Sequence, residues 1–139
     1  MPMADAMNGQ EQRTAPTAAE IEALARASLS RIPPPFAEHL VGVVLLVEEW
    51  ADDETLDALD IEDPYDLTGM YAGRPIGDKS SFESGALPDR IHLYRRAILD
   101  EWAANGDDIA TLVHHIVIHE VGHHFGLSDA DMHALEGVD

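Results

Sequence analysis

The spacing of apolar residues changes along the chain, and each change predicts a different element. Ile21, Leu24, Ala25 and Leu29 recur at intervals of three and four, the period of a helix with one buried face. Thr17 stands where the N-cap of that helix belongs, and Glu20 three residues on completes a capping-box pattern. Pro33-Pro34-Pro35 ends the helix, because proline brings no amide donor and restricts the residue before it. Val43-Val44-Leu45-Leu46-Val47 is a short, unbroken run and predicts a strand covered on both faces. Asp52 to Leu59 reads as a short acidic helix with Leu56 and Leu59 as its apolar side. Asp63-Pro64 reads as a turn, and Leu67-Thr68-Gly69-Met70-Tyr71 as a second strand. Gly73, Pro75, Gly77, Ser80, Ser81 and Gly85 make residues 73–88 a loop region. Arg90-Ile91-His92-Leu93-Tyr94 alternates as a half-exposed strand does.

The last third has a different texture. Arg96 to Ala104 is helical and Asn105-Gly106 stops it. Asp107 or Asp108 can then cap a helix running to about Phe125. Its apolar residues, from Ile109 through Val113, Val117 and Val121, cover more than half of the helical circumference, which predicts a central position. The same helix carries His114, His115, His119, Glu120, His123 and His124, a set that a plain core does not explain.

Composition narrows the class. One domain is expected from 139 residues, with residues 1–16 as a disordered tail and 17–139 as the folded unit. There are no cysteines, so disulfide frameworks, thiolate metal sites and cysteine nucleophiles are excluded. Asp and Glu number 27 against 8 Lys and Arg, for a net charge of −19. That balance offers nothing to a phosphate backbone or an anionic lipid surface, so neither nucleic acid nor membrane is an expected partner. The start, Met1-Pro2-Met3-Ala4-Asp5, lacks the basic and apolar segments of a secretory signal, and a cytoplasmic protein is expected.

The chemistry concentrates in residues 119–129, His-Glu-Val-Gly-His-His-Phe-Gly-Leu-Ser-Asp. His119 and His123 are four apart, so their rings leave one helix face a turn from each other and can share a zinc ion at about 2.0–2.1 Å. Glu120 points roughly 100° round the helix, where a carboxylate serves as general base to a zinc-activated water better than as a ligand. A catalytic zinc normally has three protein ligands and an open position. Gly126 can take the left-handed conformation that ends a helix, and the turn would carry Asp129 toward the metal. Asp131, His133 and Glu136 are the alternatives for this third position. Ser128 is placed to cap a final short helix through Met132 and Leu135.

Around this set, His115 lies one turn before His119, in reach of a supporting or substrate-facing role or simply on the surface. His124 points away from the metal, towards packing or a backbone carbonyl, and His92 and His114 read as ordinary. Gly122 keeps a side chain out of either the cleft or a helix–strand contact. Tyr71 and Tyr94 are possible oxyanion donors, though packing suits both. Ile91 to Tyr94 is a candidate for the strand bordering a cleft, or a plain sheet strand.

His119-Glu120-x-x-His123-x-x-Gly126-x-x-Asp129 resembles the extended zinc-binding motif of the metzincin metallopeptidases, with Asp in place of the more usual third His. More closely, the stretch from about Pro33 to Leu135 looks like the small bacterial zincin-like metallopeptidases, or minimal zincins. Residues 67–75, 91–95 and 119–129 carry the likeness, the last with high specificity. The resemblance implies an α+β fold in which a small mixed β-sheet packs on a central active-site helix. It implies one Zn2+ held by His119, His123 and Asp129, with Glu120 as base in peptide hydrolysis. The expected substrate is a peptide or an unfolded segment. A second expectation, from another class, is a zinc-binding domain whose metal serves stability or partner recognition without turnover.

Overall fold

Local capping chemistry decides where the helices begin. The computed structural model describes residues 14–34, 36–73, 88–106 and 108–136. Helix α1 (Ala18–Ser30) starts at the expected cap: Thr17 Oγ1 accepts from the Glu20 amide, and the Glu20 carboxylate accepts from the Thr17 amide. A short helix α2 (Phe36–His39), not anticipated, follows the prolines. Strand β1 (Val44–Glu48) leads to α3 (Asp53–Ala58), capped by Asp52, and a 3-10 turn (Pro64–Asp66) precedes β2 (Gly69–Ala72). Strand β3 (Arg90–Tyr94) runs directly into α4 (Arg95–Asn105). Helix α5 (Ile109–Phe125) is capped by Asp108, which accepts from the Thr111 amide at 3.2 Å, and α6 (Asp129–Glu136) closes the described chain. The expected tail lies outside the described residues over 1–13, and the expected loop does so over 74–87.

The three strands form a mixed sheet of order β1-β3-β2, with β1 parallel and β2 antiparallel to β3. This order corrects three readings of the sequence. Strand β3 is central, so it is not the edge that borders a cleft. It is not half-exposed either: Ile91 and Leu93 are fully buried and Tyr94 nearly so, because both faces of a central strand find cover. Strand β1 lies at an edge, where Leu45 is buried but Val44 is exposed; an apolar run predicts burial without predicting sheet order.

One sheet face, carrying Leu45, Ile91 and Leu93, packs with α1 and α5 in the main core. The other supplies Tyr94 to a smaller cluster with Ala51, Leu56 and Ala97. Helix α5 is central as its composition predicts, with Val113, Val117 and Val121 fully buried. Each such side chain contributes about 1.5–3 kcal/mol, so this face anchors the helix while the opposite one carries the polar groups. No helix among the described residues is long and apolar enough to cross a membrane.

Candidate active site

The candidate site is built on a hairpin of two helices. Helix α5 ends at Gly126, whose φ of +71° is the left-handed conformation a side chain resists. Ser128 Oγ then accepts from the Asp131 amide at 3.1 Å and starts α6, as the sequence predicts. Helix α6 folds back along α5, and the buried Met132 seats against Gly122. A Cβ at residue 122 would run into the Met132 side chain, so this glycine serves contact between the two helices. Neither the cleft nor a strand is what requires it.

Spacing on α5 puts His119 and His123 a turn apart, their ring centroids 6.1 Å from each other and the planes nearly perpendicular. His123 is exposed and His119 half-buried. Burial is the leading influence on His119 and lowers its pKa, which favours the neutral imidazole that binds metals. The groups acting on it electrostatically come from His115, Glu136, His123 and Asp129. Asp129 itself is the first residue of α6 and exposed, as are Asp131 and His133 further along that helix.

Glu120 points to the sheet. Its Oε1 accepts from the Tyr71 backbone amide at 3.1 Å. The Tyr94 amide bonds to the Thr68 carbonyl, so in this antiparallel register Met70 and Ala72 face β3 while the Tyr71 amide faces outward. Strand β2 is therefore the edge beside Glu120. Burial raises the Glu120 carboxyl above its ordinary range, against the opposing pull of His123 and the Tyr71 amide.

Behind this edge, the Tyr71 hydroxyl donates to Asp89 at 2.9 Å and its ring stacks on His124 at 4.0 Å. His124 thus packs, with Nε2 3.7 Å from an Asp89 carboxylate oxygen. Burial pushes the Tyr94 hydroxyl up to about 12, in keeping with a packing role. His92 pairs with Glu48. His114 is buried, with Nδ1 2.9 Å from Ser28 Oγ and Nε2 2.9 Å from the Glu136 carbonyl.

The far end of the hairpin holds an arrangement that the sequence reading did not assemble. The Glu136 carboxylate oxygens lie 2.9 and 3.0 Å from His115 Nδ1, and the His115 and His119 rings are 4.1 Å apart. Among the described residues, His115, His119 and Glu136 are the group whose potential ligand atoms all lie within 4.8 Å of one another. The set His119, His123 and Asp129 is not gathered to that degree. The spacing of His115 and His119 repeats that of His119 and His123, and it was the available signal for the first of these residues. The approach of Glu136 depends on how α6 packs.

From β1 to the end of α6 the chain matches the zincin-like metallopeptidase family, over residues 40–138, and it belongs to that family. No curated protein matches it. The α+β fold, a small mixed sheet beside a central helix, accords with this membership. The donor chemistry fits the zinc that the family implies: imidazoles at helical spacing, carboxylates from the next helix, and Glu120 apart from them on the sheet side.

Proposed function

We propose that this protein is a zinc-dependent peptidase in which His119, His123 and Asp129 hold the ion and Glu120 is the general base. The observation that carries the reading is the position of Glu120. It is a partly buried carboxylate, one residue from a proposed metal-binding imidazole, anchored on the outward amide of an edge strand. A buried carboxylate destabilises a fold unless something compensates, and reactive sites are where such groups are kept. When bound, zinc supplies Lewis acidity to a peptide carbonyl and to water. Glu120 takes the proton released as water attacks the carbonyl carbon, and it returns that proton to the leaving amine.

Strand β2, in place of β3, is the edge to which an extended peptide would add, through the outward backbone groups of Gly69 and Tyr71. Strand addition requires an extended chain, so unfolded segments and peptides are the substrates proposed. The raised pKa of Glu120 has a sign that matters here. Its base form is lost as pH falls, so hydrolysis should decline on an acid limb lying above the ordinary value of about 4.3.

The test is a peptide-library digest on wild type, Glu120→Gln and His123→Ala, with zinc content measured on the same samples. Glu120→Gln should keep its zinc and lose about 10²- to 10⁴-fold in rate. His123→Ala should lose both zinc and activity. Undiminished hydrolysis in Glu120→Gln overturns the mechanism.

A further inference from the structure

Three imidazoles stand on consecutive turns of α5: His115, His119 and His123. Helix α6 runs back beside them and presents a carboxylate at each end, Asp129 near the bend and Glu136 opposite His115. Two sets of two imidazoles and one carboxylate therefore overlap on this hairpin, with His119 in common. We propose that His115, His119 and Glu136 form a second seat for a divalent cation, an alternative position for the same ion that the catalytic set holds.

The geometry of this seat stands without reference to the catalytic one. Its donor atoms all lie within 4.8 Å of one another, against the roughly 3.4 Å edge of a tetrahedron with bonds of about 2.05 Å. Small rotamer changes close that gap. His115 is half-exposed and Glu136 less so, which leaves water access to an ion on its way in. An imidazole pair and a carboxylate suit zinc, cobalt or iron(II).

That the two seats exclude each other rests on the ligand set proposed above. A neutral imidazole has a single acceptor nitrogen, so His119 serves one ion at a time. The ion's division between the seats is then independent of how much zinc is supplied. An ion held at His115 and Glu136 leaves Glu120 without its metal, so this partition sets the active fraction of the protein.

The experiment is a cobalt(II) titration followed by visible absorption, with zinc stoichiometry by equilibrium dialysis and folding checked by circular dichroism. In a chain carrying both His123→Ala and Asp129→Asn, one cobalt ion should still bind. Adding His115→Ala, or separately Glu136→Gln, should weaken that binding at least tenfold, about the least that losing even an outer partner of a metal site costs. Wild type should saturate at one ion per chain. No binding in the double variant, or binding that neither further substitution alters, overturns the second seat. Saturation of wild type at two ions overturns the sharing of His119. The peptidase reading fails by a different route, through undiminished hydrolysis in Glu120→Gln, because Glu120 is not a ligand of this seat.

Discussion

The two ends of the α5–α6 hairpin carry the same kinds of residue and treat them differently. At the bend, His123 and Asp129 are exposed, and neither side chain has a hydrogen-bond partner among the described residues. At the far end, His115 is tied to Glu136, and His114 is locked between Ser28 and the Glu136 carbonyl. One end has its polar groups satisfied by the protein, and the other leaves them open to solvent. The half-exposed His115–Glu136 pair contributes no more than about 1 kcal/mol to folding. That small contribution leaves the pair free to serve the cation seat proposed above without cost to the fold.

The strongest way to break the contrast is to remove what joins the two ends. Met132 is buried between them, so Met132→Ala should cost about 2–5 kcal/mol in denaturant unfolding and loosen both ends together. The contrast is sharpened by comparing carboxylates. Asp129→Asn should weaken zinc binding down to the affinity of the seat at His115, His119 and Glu136, and Glu136→Gln should affect it less when the catalytic seat is intact, both read by competition against a zinc indicator. Gly122→Ala has a smaller expected effect. The new methyl group displaces Met132 at about 1–3 kcal/mol, and the gain in helix propensity of about 1 kcal/mol offsets part of that, leaving a net loss in thermal melting. Combining it with Met132→Ala should remove the clash.

The smallest effect serves as a control far from the hairpin. Hydrogen bonds from Thr17 hold the Glu20 carboxyl below its ordinary value. A carboxyl lowered in the folded state stabilises above its unfolded pKa, and that stabilisation goes as pH falls through the folded value. Glu20→Gln should therefore flatten the acid limb of stability against pH, measured by melting between neutral and acidic buffers, without altering zinc binding.

What was legible in the sequence was local. The caps at Thr17, Asp108 and Ser128 and the left-handed Gly126 each involve residues within a few positions, and side-chain chemistry reveals them. The ladder of imidazoles on α5 was equally open to counting. Sheet order was not, because the central place of β3 depends on pairings with strands about twenty and nearly fifty residues away. The same limit hid the edge role of β2 and the partnership of His115 with Glu136. Both depend on packing between elements, and in the second case on a methionine resting against a glycine.

The outward amide of Tyr71 has one hydrogen, and in the structure the Glu120 carboxylate holds it. In the proposed reaction, an incoming chain that aligned along β2 would compete for that hydrogen, and its success would release the carboxylate to work on the bond just brought within reach. Under that proposal, docking and arming of the base would be the same event, written into a single backbone nitrogen.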